Sequence, residues 1–138
     1  MTQRVLDSEN DTKQVAEEIA LRLKPGDWVF LSGDLGAGKT TLVRYLLQAL
    51  GHLGAVKSPT YALVETYALD ALTLYHLDLY RLDSPQALEF LGVLDADPAQ
   101  SLFCVEWPEK AHDALPKPRL EIRLKLDKME RQLELIWH

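Results

Sequence analysis

Trp28-Val29-Phe30-Leu31-Ser32-Gly33-Asp34-Leu35-Gly36-Ala37-Gly38-Lys39-Thr40-Thr41 is the stretch that decides the fold. From Gly33 to Thr40 it reads Gly, four free positions, then Gly-Lys-Thr, the pattern of a phosphate-binding loop (P-loop). The apolar run Trp28 to Ser32 predicts a strand, and Thr40 to Leu50, closed by Gly51, predicts a helix. Strand, glycine-rich loop, helix is the context that gives the pattern structural meaning. The glycines let successive backbone N–H groups turn inward on phosphates, and the helix start adds the positive end of its dipole. Lys39 is expected to reach the β- and γ-phosphates, and the Thr40 hydroxyl to bind Mg²⁺. Thr41 either touches the α-phosphate or is an ordinary helix residue with a satisfied hydroxyl. The stretch as a whole predicts a site for a nucleoside triphosphate.

Working outward, Ser8 to Asp11 offer helix caps, with Asp11 and Gln14 at capping-box spacing. Val15, Ala16, Ile19, Ala20 and Leu23 then recur on one helical face, and Lys24-Pro25-Gly26-Asp27 stops that helix. The helix after the loop is apolar on several sides, through Leu42, Val43, Leu46, Leu47 and Leu50, which predicts packing between the sheet and other elements. Lys57-Ser58-Pro59-Thr60 reads as a loop, because proline disfavours helix at the residue before it. Tyr61 to Tyr67 and Leu72 to Asp78 read as two strands of a hairpin turning at Asp70-Ala71. Ser84-Pro85 opens a short helix ending near Gly92. Leu102 to Glu106 is a short apolar strand, and Pro108 to Leu115 a helical turn. Leu120, Ile122, Leu124 and Leu126 alternate with charged residues, and Leu133, Leu135 and Trp137 repeat the alternation after a turn at Asp127 to Glu130. The expectation is an α/β, P-loop NTPase-like three-layer domain with a mixed β-sheet and a C-terminal antiparallel hairpin.

The 138 residues predict one domain, 1–138, and 47% hydrophobic content suffices for one core. A net charge of −6 argues against broad binding of nucleic-acid backbone by this chain alone. The single cysteine, Cys104, lies in an apolar run and reads as a small buried hydrophobe, consistent with a reducing cytoplasm. Met1 to Asp11 lacks the apolar stretch of a signal peptide, and no segment is long and apolar enough to span a membrane. A soluble cytoplasmic protein is expected.

A nucleotide hydrolase also needs an acid for Mg²⁺ or its waters, at the carboxyl end of a strand beside the loop. Asp78 and Glu106 each end an apolar strand and are the two candidates. Thr60 stands between the loop's helix and the next strand, where nucleotide switches place a threonine that senses Mg²⁺ and the γ-phosphate; strand propensity explains a threonine there equally well. Arg44 and Arg81 are within reach as charge neutralisers, with a surface ion pair the default for each. His76, alone in an apolar strand, reads as a hydrogen-bonded structural residue. The only asparagine is Asn10, so the Asn-Lys-x-Asp motif that reads guanine is absent and adenine is expected.

Four segments resemble the TsaE (YjeE) family in order and spacing: Gly33 to Thr41, Val56-Lys57-Ser58-Pro59-Thr60-Tyr61, Tyr75-His76-Leu77-Asp78-Leu79-Tyr80-Arg81-Leu82 and Val105-Glu106-Trp107-Pro108-Glu109. The resemblance implies an ATPase, weak alone, required for threonylcarbamoyladenosine in tRNAs that decode codons beginning with adenine. It implies docking on a TsaB–TsaD complex in which TsaD performs the transfer, with tRNA engaged indirectly through that complex. By position, Thr40 and Glu106 are the Mg²⁺-associated residues, Asp78 assists the metal or the water, and Thr60 is the switch threonine. Arg131 looks like a family arginine that reaches the nucleotide; Trp107 matches a motif without an evident chemical role. Two other classes compete: a small-molecule kinase and a nucleotide-gated adaptor without turnover. Asp83 to Gln100 stands where a kinase lid would, yet contains no arginine or lysine.

Overall fold

The computed structural model describes residues 2–56 and 63–138. Trp28 to Ser32 forms the central strand β2, buried along its first four residues. It pairs in parallel with β5 (Ser101–Glu106) on one side and β6 (Leu120–Asp127) on the other. Every residue of β5 is buried, as expected for a parallel strand covered on both faces. Beyond β5 lie β4 (Thr73–Asp78), parallel to it, and β3 (Val64–Ala68), antiparallel to β4. Beyond β6 lie β7 (Glu130–Trp137) and β1 (Thr2–Leu6), each antiparallel to its neighbour. The sheet order is β1-β7-β6-β2-β5-β4-β3. The C-terminal hairpin turns on Lys128 and Met129, both left-handed, which matches the twist of the strands they join.

Three layers result. On one face, α1 (Glu9–Arg22) and α2 (Lys39–Ala49) set Val15, Ile19, Leu42, Val43, Leu46 and Leu47 against Val29, Leu31, Leu102, Ile122 and Leu133. On the other, 3₁₀ turns at Pro85–Leu91, Val93–Asp95 and Pro108–Ala114 supply Leu88, Val93 and Ala111 against Trp28, Phe30, Leu77 and Val105. Trp28 stacks on Phe103 at 4.0 Å and Tyr75 on Phe103 at 5.4 Å, an aromatic row across β2, β5 and β4.

Two local expectations change. Thr2 to Leu6, where the sequence pattern predicts no element, is an edge strand; only Leu6 is buried, so the segment carries no alternation. The cap of α1 is Ser8, whose hydroxyl accepts from the Asp11 N–H at 3.3 Å, while the Asp11 carboxylate accepts from the Asp7 N–H at 2.8 Å. The helix is therefore capped by Ser8, with Asp11 reaching back to the Asp7 amide one residue beyond the capping-box partner, and not by Asp11 and Gln14. Among the described residues no helix is long and apolar enough to cross a membrane.

Candidate functional site

Chain direction builds the site. β2, β4 and β5 are parallel, so their carboxyl ends lie at one edge, where the loop after β2 enters α2. Gly33 opens that loop against β6: a Cβ there would stand 2.4 Å from the Leu124 carbonyl oxygen, so only glycine fits. Gly38 is left-handed and caps α2 without a side chain, and no acid sits in the first turn, so the helix's amide end is unscreened.

A cavity of about 290 Å³ opens at this end, lined by Leu35, Gly36, Gly38, Lys39, Thr40, Thr41, Asp78, Glu106, Trp107 and Arg131. Gly33 and Asp34 do not line it, and Ala37 is buried in the core beneath. Thr60 lies outside the described residues. Asp78 and Glu106 are register partners on β4 and β5, which brings the two acids side by side. The Thr40 hydroxyl donates to Glu106 Oε2 at 3.2 Å, and His76 Nε2 meets the same oxygen at 2.6 Å. Asp78 Oδ1 accepts from the Tyr80 N–H at 3.0 Å.

The Lys39 ammonium bonds the Gly33 carbonyl and lies 3.9 Å from the centre of the Trp107 ring. Burial lowers the Lys39 pKa below its ordinary value; the Glu106 and then the Asp78 carboxylate oppose that shift. Trp107 is left-handed, a conformation that costs a non-glycine residue about 1–2 kcal/mol and turns the chain sharply after β5. Its ring packs on Tyr80 at 4.9 Å. Arg131 sits on β7 between Leu6 of β1 and Leu126 of β6, and its guanidinium approaches Gly38.

Two other residues weighed from sequence lie apart. Arg44 faces Glu9 at 3.9 Å, and neither it nor Arg81 lines the cavity. The residues that sequence reasoning left without a role are His76 and Trp107. His76 meets the site across strands and Trp107 meets Lys39 of α2, relations that spacing along one strand does not reveal. A further cavity of about 350 Å³, lined by Leu6, Asp7, Ser8, Glu9, Leu126 and Met129, shares Arg131 with the first. A larger hollow of about 430 Å³ lies near Arg123 and Lys125, away from the loop. Arg123 there already pairs with Glu134 at 3.3 Å.

The donors at the loop fit Mg²⁺. A hydroxyl and two carboxylates are hard oxygen ligands. Among the described residues no group of three His, Cys, Asp or Glu could hold a metal ion.

Comparison with known proteins follows the same line. The curated tRNA threonylcarbamoyladenosine biosynthesis protein TsaE of Haemophilus influenzae is 46% identical over 121 residues, covering 86% of this chain and 77% of that protein. The protein of the same name from Bacillus subtilis is 39% identical, covering 83% and 72%. The crystal structure of Bacillus subtilis YdiB superposes with a TM-score of 0.79 at 32% identity, covering 96% of this chain and 82% of that one. The family model described as "Threonylcarbamoyl adenosine biosynthesis protein TsaE" matches residues 6–133, and the chain belongs to the TsaE family.

Proposed function

We propose that this chain is a Mg²⁺-dependent ATPase that serves threonylcarbamoyladenosine modification of tRNA by driving a TsaB–TsaD complex. The observation that carries the reading is the convergence of Lys39, Thr40, Asp78 and Glu106 on one cavity at the start of α2, in a member of the TsaE family.

The backbone N–H groups of Gly36 to Thr40 cradle the phosphate tail, and Lys39 neutralises the γ-phosphate. Thr40 and Glu106 hold Mg²⁺, directly or through its waters, and Asp78 orders the metal's waters or the attacking one. The ion, when bound, would offset the charge that develops on the phosphate oxygens. Thr60 supplies the γ-phosphate sensor and Arg131 a second cation. The adjoining hollow at Leu6, Leu126 and Met129 takes the adenosine end, since Arg131 borders both cavities. Work beside a tRNA-binding enzyme suits a chain of net charge −6 that does not grip tRNA itself, and sets its site of action in the cytoplasm.

The test is ATP hydrolysis with and without the TsaB–TsaD pair and tRNA, followed by mass analysis of the tRNA nucleosides. Turnover is expected to rise with the complete set, with modified nucleoside appearing. Glu106→Gln is expected to keep nucleotide binding and slow hydrolysis. Hydrolysis that requires an added metabolite, with phosphate transferred to it, would make the chain a kinase. Binding without turnover in the full mixture would make it an adaptor.

A further inference from the structure

We propose that His76 is the positioning residue of the Glu106 carboxylate, clamping Oε2 so that Oε1 is the oxygen offered to Mg²⁺. The proposal deepens the Mg²⁺·ATP reading of the cavity and rests on it.

His76 is fully buried within β4, on the α2 side of the sheet with Leu74. An aliphatic side chain would fill that space without a polar atom. Among the described residues the imidazole instead leaves Nδ1 without a hydrogen-bond partner, a penalty that packing does not explain. Among the described residues its hydrogen bond is Nε2 to Glu106 Oε2, at 2.6 Å. The orphaned Nδ1 assigns the proton to Nε2, because a proton on Nδ1 would be a buried donor with no acceptor. The ring thus donates to the carboxylate.

Register makes the clamp possible. His76 pairs with Cys104, and Asp78 pairs with Glu106. The imidazole therefore reaches forward by two residues along the neighbouring strand, a span its length allows. The Thr40 hydroxyl donates to the same Oε2 at 3.2 Å. Two donors on one oxygen hold a side chain that otherwise turns about three bonds. Among the described residues no hydrogen bond to Oε1 accompanies these two. A partner that orients a metal-binding carboxylate in this way commonly changes metal affinity when removed.

The experiment measures affinity for a fluorescent non-hydrolysable ATP analogue, with Mg²⁺ and with chelator, in the full chain and three variants. His76→Leu removes the donor, His76→Gln keeps a donor at the reach of Nε2, and His76→Asn keeps a donor that is too short. In His76→Leu the affinity gained from Mg²⁺ is expected to fall by about 10- to 100-fold, with the chelator value unchanged. His76→Gln is expected to recover most of the gain and His76→Asn not to. Full Mg²⁺ gain in His76→Leu would overturn the proposal, as would equal gains in the Gln and Asn variants. If His76→Leu fails to unfold cooperatively, the Gln and Asn pair decides alone. A wild-type chain that gains nothing from Mg²⁺ would overturn the parent reading along with this one, whereas a wild-type gain that survives in every variant overturns the role of His76 only.

Discussion

Replacing Lys39 by methionine separates nucleotide recognition from folding. The ammonium bonds the Gly33 carbonyl and lies over the Trp107 ring, so binding a triphosphate with the Gly33 bond kept exchanges the ring contact for phosphate oxygens. A charge-assisted hydrogen bond is worth about 1.5–3 kcal/mol and a cation–π contact about 0.5–1 kcal/mol. The net loss on removing the charge is then about 1–2 kcal/mol, or roughly 5- to 30-fold in affinity. Stability is expected to hold, because burial already disfavours the ammonium and methionine keeps the apolar stem against Trp107. Calorimetric titration with a non-hydrolysable ATP analogue and Mg²⁺ gives the affinity, and thermal unfolding gives the stability. Wild-type affinity in Lys39→Met would refute the assignment of the cavity. A large drop in unfolding temperature would instead make Lys39 a structural anchor.

Gly33→Ala forces a methyl group against the Leu124 carbonyl and is expected to destabilise the chain by about 1–3 kcal/mol in chemical denaturation; wild-type stability would contradict the close approach. Nucleotide binding is expected to change tryptophan emission through Trp107, because Lys39 leaves its ring. Trp28 is stacked on Phe103 and Trp137 lies beneath Arg22, so Trp107→Phe should abolish the signal; a full signal from the remaining two would refute the exchange. The Cys104 thiol, pushed up from 9.0 to about 12 by burial first and Glu106 second, is expected to resist aromatic disulfide reagents at pH 8 until the chain unfolds. In the unfolded chain this thiol ionises near 9.0 while the folded one stays protonated, so its contribution to stability declines between pH 9 and about 12. A reaction as fast in the folded chain as in urea would show that the thiol is exposed.

The parts legible in the sequence were those whose signal is local. The loop between Ser32 and Lys39 announces itself by glycine spacing, and β6 and β7 by alternation that matches one buried face. The edge strand Thr2–Leu6 buries one side chain, and its pairing with β7 belongs to the partner's pattern more than to its own. The stretch Pro85–Leu91 starts after Ser84 with Pro85 in its first turn and stops at left-handed Gly92, but Ser84 makes no side-chain cap bond and the turn is 3₁₀. At the site, Asp78 and Glu106 stood out because each ends an apolar run. His76 against Glu106 arises from the register of β4 on β5, and Lys39 against Trp107 from the start of α2 meeting the chain just after β5; no residue of either pair signals the other.

The parallel pairing of β4 with β5 sets residues 78 and 106 opposite one another. Neighbouring strands stand about 4.8 Å apart, a spacing set by their amide ladder. The sheet thus acts as a ruler for the two acids, and only side-chain length remains adjustable. An aspartate on one strand and a glutamate on the other is a choice of two reaches from a fixed baseline. Swapping the two acids would preserve charge and fold yet move each carboxylate by one methylene, so at these two positions the shorter and longer acid are not equivalent.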